Sequence, residues 1–348
     1  MTGEDADTLE APVQAKTSEV VLEAFDLQTV FWSRKTKVYA VNGVSFHLNR
    51  GEILGVVGES GSGKSATMMS LMRLLPTPPA EIVSGRAHFE GRDLLSLAPS
   101  EIQRIRGREI GVVFQDPMTS LNPVLTVGYQ LMEPIRKHLG LSRSDARKRA
   151  AELLAMVGIP SPQDRMNDYP HQFSGGMRQR VVIAIALAGE PKVLIADEPT
   201  TALDVTIQAQ ILELVKKLRQ EMSMSIIWIT HDLGVVAGIA DRVMVMYGGL
   251  VVECAAVGDL YANPRHPYTR ALLETLPRAD MTGRERLKSV RGQPPHLTAF
   301  PTSCPFAPRC PHVFDRCLVE KPPLIRVRDG HEAACWWGGT EQRPRGDV

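Results

Sequence analysis

The stretch GVVGESGSGKSATMM, from Gly55 to Met69, decides how the rest of the chain is read. An apolar run, EILGVVG, leads into it, and a helical pattern, KSATMMSLMRLL, leads out. Between them Gly58, Gly63, Lys64 and Ser65 fill the fixed positions of the spacing G-x-x-x-x-G-K-S/T. The glycines let successive backbone N–H groups curl inward as an anion nest, and the helix start adds a positive dipole end. Glu59, Ser60, Gly61 and Ser62 supply the intervening backbone, and Ala66 follows in the first helical turn. Lys64 brings a point charge for the outer phosphates, and the Ser65 hydroxyl is a hard ligand for Mg²⁺. A merely flexible Gly/Ser turn does not account for strand, loop, Lys-Ser pair and helix arriving together. The loop is expected to hold a nucleoside triphosphate.

The chain has 348 residues, 43% hydrophobic and 23% charged, which suits a globular protein with one large core. Forty basic residues against 39 acidic ones leave a net charge of +1, so no basic field attracts nucleic acid, and none is expected as a partner. The longest apolar runs, such as VVIAIALAG, fall short of the roughly 20 residues that span a bilayer. The N-terminus, MTGEDADTLEAP, is acidic and polar, unlike a secretory signal, so a cytoplasmic location is expected.

Residues 1–18 read as a disordered tail. A main domain is expected over 19–270, with a mostly helical insertion at about 117–172, and an extension over 271–348 that is rich in Pro, Arg and Cys. β-like runs (VVLEAFDLQTVFW, VYAVNGVSFHL) open the main domain. Apolar, unalternated strands (GREIGVVFQD, KVLIADE, SIIWIT) then alternate with helical patterns such as VTIQAQILELVKKLRQEM. The expected fold class is α/β: a parallel sheet covered on both faces, with an antiparallel β subdomain, the helical insertion and a small irregular C-terminal domain.

Other candidates follow from where strands end. KVLIADE ends in Asp197 and Glu198, at the sheet edge where ligands bind in such folds. Asp197 can hold Mg²⁺ through its water shell, and Glu198 is the candidate general base for an attacking water. His231 follows SIIWIT and Gln115 follows GVVF; each is placed to meet the terminal phosphate or its metal, although each alone also reads as structural. In HQFSGGMRQR, Ser174, Gly175 and Gly176 open a second helix with bare N–H groups. Two phosphate-binding helix starts with one Lys-bearing loop suggest that the second caps a nucleotide held by another subunit.

Taken in order, GESGSGKS, Gln115, FSGGM, VLIADE, the loop TALD ending at Asp204, and His231 resemble the motif set of the ATP-binding subunits of ABC transporters, over about residues 20–335. The resemblance implies an ATPase dimer with two nucleotides sandwiched head to tail. Each would be held by one subunit's phosphate loop and its mate's Ser174, Gly175 and Gly176, with Asp204 at the seam. Phe173 and Met177 depart from the usual Leu-Ser-Gly-Gly-Gln, but the Ser-Gly-Gly core is intact. The family's adenine-stacking aromatic falls at Phe31, with Trp32 and Tyr39 as alternatives. The partners the resemblance implies are a second ATPase subunit that is a different chain, two membrane permeases and an extracytoplasmic substrate-binding protein. The subunit itself would sit on the cytoplasmic face of the membrane.

NPRHPYTRALLETLP and FQDPMTSLNP resemble the oligopeptide and dipeptide importers within this family, a group that also takes nickel, glutathione and some oligosaccharides. Cys304, Cys310, Cys317 and Cys335 follow at spacings C-x5-C-x6-C-x17-C. This is not the paired C-x2-C of a zinc ribbon, and it resembles the tail of some peptide-importer ATPases that holds a 4Fe-4S cluster; zinc and free thiols are the alternatives. Cys254, in VVECAAV, reads as a small buried side chain. Two rival functions remain open at this point. A soluble ABC ATPase working on nucleic acid or ribosomes would carry a long coiled-coil insertion or two cassettes. A regulator that binds ATP without turnover would have no use for Glu198 and His231.

Overall fold

The computed structural model describes residues 19–33, 36–115, 120–201, 203–276 and 289–337; the 1–18 tail lies outside them. Strands β1 (Val20–Trp32), β2 (Lys37–Asn49), β4 (Ala80–Phe89) and β5 (Arg92–Asp93) form an antiparallel sheet in the order β2-β1-β4-β5. The second sheet has eight strands in the order β11-β12-β10-β9-β3-β8-β7-β6. Its parallel part comprises β3 (Ile53–Val57), β6 (Ile110–Val113), β7 (Val193–Asp197), β8 (Ser225–Thr230) and β9 (Arg242–Tyr247). The hairpin partner β10 (Leu250–Ala256) is antiparallel to β9. Beyond residue 289 the chain is largely irregular, but two short strands, β11 (Ile325–Arg328) and β12 (His331–Ala333), continue this sheet through β10.

Every residue of β3, β7 and β8 is buried, which is why these strands read as unbroken apolar runs. Their side chains alternate between two cores. Ile53, Val57, Ile226 and Trp228 face the core built with the helices, whereas Leu54, Val56, Ile227 and Ile229 face the antiparallel sheet. Helices α1 (Lys64–Leu71) and α2 (Pro99–Ile105) pack into the second core through Met68, Leu71, Ile102 and Ile105. The helical layer follows as α3 (Val127–Leu139), α4 (Arg143–Met156) and the short α5 (Pro162–Arg165). Next come α6 (Gly175–Leu187), α7 (Val205–Met222) and α8 (Leu233–Ile239), then α9 (Val257–Ala262) and α10 (Pro267–Leu273). Thr126 and Ser142 cap α3 and α4 by accepting from Tyr129 N and Asp145 N, which fixes where those helices begin.

Register sets the functional edge. Val57 lies beside Thr230, Asp197 beside Ile229, and Val113 beside Ala196. The parallel strands therefore end in one layer, and the residues just past them share one rim: Gly58, Gln115, Glu198 and His231.

Candidate functional site

Two glycines of the loop after β3, Gly58 and Gly63, leave no space for a Cβ. Gly63 has φ +99°, and a Cβ there would meet the Ala40 carbonyl oxygen at 2.5 Å. At Gly58 a Cβ would meet the Met246 carbonyl oxygen at 2.3 Å. At these two positions the backbone runs against β2 and the end of β9 with no room for a side chain. Ser62 Oγ is buried and has no hydrogen-bond partner among the described residues. Lys64, 5% exposed, donates from Nζ to the carbonyl oxygens of Gly58 at 2.8 Å and Glu59 at 3.1 Å. Those carbonyls stand where an anionic oxygen would be a stronger partner. Burial lowers the Lys64 pKa, and the carboxylates of Glu198, Asp197 and Glu59 work against that shift.

Ser65 Oγ donates to Asp197 Oδ1 at 2.9 Å, so the first turn of α1 and the end of β7 already share a hard-oxygen pair. Burial raises the Asp197 pKa, and the neighbouring Glu198 adds to it, while the Ser65 bond and Lys64 oppose it. A divalent cation would relieve a desolvated carboxylate of this kind, and the Ser65–Asp197 pair fits Mg²⁺. Next to it, Glu198 adopts φ +46°, an uncommon conformation for a non-glycine residue. Its N–H donates to Ile229 O at 3.0 Å, which holds the bend against β8. One oxygen, Oε2, then receives Thr201 Oγ1 at 2.9 Å and Gln115 Nε2 at 3.3 Å, and lies 3.3 Å from His231 Nδ1. The carboxylate is 13% exposed and the His231 side chain 55% exposed, so a solvent water has access to this cluster. A carboxylate, an imidazole and an amide around one oxygen, beside a metal-binding pair and a phosphate nest, can orient and deprotonate water for attack on a bound phosphoryl group.

The remaining candidates lie elsewhere. Ser174 caps α6, its hydroxyl accepting from Met177 N at 3.3 Å, and it is exposed together with Gly175. A Cβ on Gly176 would meet Ile207 Cγ2 at 2.6 Å, so α6 and α7 start side by side. Asp204 caps α7 by accepting from Ile207 N at 2.9 Å. Phe173 is 3% exposed in the helical core, which explains why an aromatic residue serves at a position whose neighbour carries the motif. Phe31 sits on β1 opposite Val38 and Ala80. Trp32 Nε1 donates to Glu81 Oε2 at 2.6 Å, and Lys37 Nζ lies 4.7 Å from the Trp32 ring centroid. The Tyr39 ring meets Phe300 edge-on at 6.5 Å.

The four tail cysteines line one small pocket with His266, Phe306, Trp336 and Trp337. Cys304 N donates to Cys317 O at 3.0 Å, tying two of the cysteine-bearing turns together. Burial pushes the Cys310 thiol up to about 11 and the Cys335 thiol to about 12, each raised further by its neighbouring cysteines. Such thiols ionise when a cation arrives, so the four soft donors lining this pocket are candidate ligands for a metal group. Among the described residues no group of three or more His, Cys, Asp or Glu side chains is placed to hold a metal ion. Cys254 is buried in β10, and its thiol is pushed up to about 11.

Sequence reasoning missed two residues at the loop, Tyr268 and Arg309. The Tyr268 hydroxyl accepts from Glu59 N at 2.8 Å, and Arg309 pairs with the Glu59 carboxylate at 2.6 Å. The His-Pro-Tyr segment was visible in the sequence; nothing local pointed to its contact with residue 59.

The family model described as ABC transporter matches residues 41–201, and that described as oligopeptide/dipeptide transporter, C-terminal region, matches residues 252–317. The chain is 53% identical over 316 residues to the oligopeptide transport ATP-binding protein OppD of Bacillus subtilis, covering 91% of this chain and 88% of that one. It is 51% identical over 318 residues to the dipeptide transport ATP-binding protein DppD of the same organism, covering 91% and 95%. Among solved structures, the dimeric post-hydrolysis state of the ATP-binding cassette MJ0796 bound to ADP and Pi superposes with a TM-score of 0.61 at 31% identity, covering 68% of this chain and 98% of that one.

Proposed function

The chain belongs to the ABC transporter family of oligopeptide and dipeptide transport ATP-binding proteins, and from that premise we propose how its residues power solute import. It is an ATP-hydrolysing subunit, and its transported solutes are peptides. Gly58–Ser65 cradles the triphosphate through main-chain N–H groups, Lys64 and the start of α1. Ser65 and Asp197 hold Mg²⁺, Gln115 reports on the terminal phosphate, and Phe31 stacks on adenine. Glu198 takes the proton of the attacking water while His231 orients it. A second ATPase subunit, a different chain, presents its own phosphate loop to Ser174, Gly175 and Gly176, with Asp204 at the seam. The observation that carries this reading is the Glu198 oxygen with Gln115, Thr201 and His231 around it, beside the Ser65–Asp197 pair.

ATP-driven closure is passed to two permeases through the helical segment after Gln115, and an extracytoplasmic binding protein delivers the peptide. A groove of about 790 Å³ between α3 and the start of α4, lined by Tyr129, Arg136 and Arg147, supports docking there. Tyr129 is 59% exposed on it. No helix among the described residues is long and apolar enough to cross a membrane, and the subunit is held at the cytoplasmic face by its permeases. Residues 19–270 form the ATPase unit, and 271–348 its extension. Cys304, Cys310, Cys317 and Cys335 would hold a 4Fe-4S cluster. Zinc ribbons take their cysteines in close C-x2-C pairs, which the C-x5-C-x6-C-x17-C spacing does not supply. The bound cluster would supply a cross-link for a segment with little core of its own.

Two measurements test the proposal. In proteoliposomes with its permeases, the complex should hydrolyse ATP faster when peptide-loaded binding protein is added; stimulation by nickel or glutathione instead would reassign the solute. Anaerobically purified protein should contain iron and acid-labile sulfide in equal amounts, lost on Cys310→Ser; zinc without sulfide would overturn the cluster.

A further inference from the structure

The hydrolytic scheme leaves two C-terminal residues pressed against the phosphate loop without a task. Tyr268 is fully buried, and its hydroxyl accepts from Glu59 N at 2.8 Å across 209 residues of sequence. The Arg309 side chain is 5% exposed and grips Glu59 with both arms: Nη1 to Oε2 at 2.6 Å and Nη2 to Oε1 at 3.0 Å. Its remaining reach goes to Tyr247 Oη at 3.2 Å and to the carbonyl oxygens of Arg291 at 2.6 Å and Val290 at 3.3 Å. Tyr247, Tyr268 and Phe306 pack together with centroids 4.6 to 5.3 Å apart, walling the guanidinium in.

Glu59 is the second residue of a loop that gathers phosphate oxygens. A free carboxylate there opposes the triphosphate and competes for Lys64, whose Nζ already touches the Glu59 carbonyl. A bidentate guanidinium both cancels that charge and fixes where it points. We propose that Arg309 and Tyr268 are positioning residues for ATP: Arg309 ties back and neutralises Glu59, Tyr268 fixes the Glu59 backbone, and the C-terminal extension thereby sets nucleotide affinity. This rests on the reading that the Gly58–Ser65 loop holds the triphosphate.

The test measures binding of a fluorescent ATP analogue with Mg²⁺, together with steady-state hydrolysis, in the full chain with its partner subunits. Arg309→Gln should raise both Kd and KM about tenfold, equivalent to about 1.4 kcal/mol, while kcat stays within about twofold. In a Glu59→Gln background, where there is no charge to cancel, the same substitution should change Kd by less than about threefold. An equal cost in both backgrounds means a packing role only and overturns the proposal, as does a lower kcat with unchanged Kd. Should Arg309→Gln not fold, judged by thermal unfolding without nucleotide, Tyr268→Phe removes a single oxygen and should still weaken binding about threefold; an unchanged Kd there overturns the proposal. Lys64→Ala separates the levels: if it binds the analogue like wild type, the loop assignment itself fails, and if it alone loses binding, only the brace fails.

Discussion

Replacing Glu198 with glutamine isolates chemistry from binding because the side chain keeps its shape and one acceptor oxygen. Thr201 at 2.9 Å and Gln115 at 3.3 Å can still donate to that oxygen, so the left-handed bend at residue 198 and the rim around it should persist. Folding stability should fall by about 1–2 kcal/mol, the difference between charge-assisted and neutral hydrogen bonds at one partly buried acceptor. Removing a general base costs about 10²- to 10⁴-fold in kcat, or about 3–5 kcal/mol of transition-state stabilisation. Binding should move the other way. Glu198 is a negative charge that Lys64 senses, so its loss should leave the Kd for Mg-ATP unchanged or tighter. The assay is single-turnover hydrolysis of radiolabelled ATP alongside equilibrium binding. A kcat within about twofold of wild type would remove Glu198 from its role. A large rise in Kd with slower turnover would mean the carboxylate binds nucleotide rather than activating water.

Two further perturbations have worked directions. Gly63→Ala places a Cβ 2.5 Å from the Ala40 carbonyl oxygen at φ +99°, whereas Gly61→Ala at φ +78° meets nothing within 4 Å. Both pay the left-handed strain of about 1–2 kcal/mol, but Gly63→Ala should lose more stability in urea unfolding and should also lose ATP binding; equal effects would contradict the close approach. His266, fully buried, accepts from Tyr268 N at 3.0 Å, and burial holds its pKa down at about 4 against an unfolded value near 6.5. A depressed folded pKa gives stability that is present above pH 6.5 and lost as pH falls toward 4. Between pH 7.5 and pH 5 this one group should cost the fold about 2 kcal/mol. His266→Asn keeps an acceptor and should flatten that part of the urea-derived stability curve; an unaltered slope would show that His266 is not held neutral.

The parallel half of the fold was legible because its strands are buried on both faces, and such strands are short unbroken apolar runs: SIIWIT matches β8 end to end. The long helix Val205–Met222 was equally plain from its pattern VTIQAQILELVKKLRQEM, and the structure adds that Asp204 caps its start. β4 and β5 gave no signal, since AEIVSGRAHF is half polar and only Ala80, Ala87 and Phe89 are buried. The terminal strands Ile325–Arg328 and His331–Ala333 are too short and too charged to announce that they extend the main sheet. At the site, each strand-end residue was readable because parallel register brings strand ends into one layer. The bend at Glu198 was not readable, nor was the Arg309–Glu59 pair, which joins residues 250 positions apart through tertiary packing alone.

The most direct measurement is a density map of the transporter carrying Glu198→Gln with Mg-ATP bound. The triphosphate should lie in the Gly58–Ser65 loop, with Mg²⁺ beside Ser65 and Asp197 and the partner ATPase closing over it with the serine and glycines of its own second helix start. A nucleotide bound away from that loop, or a closed complex in which Ser174 of this chain faces solvent, would contradict the account.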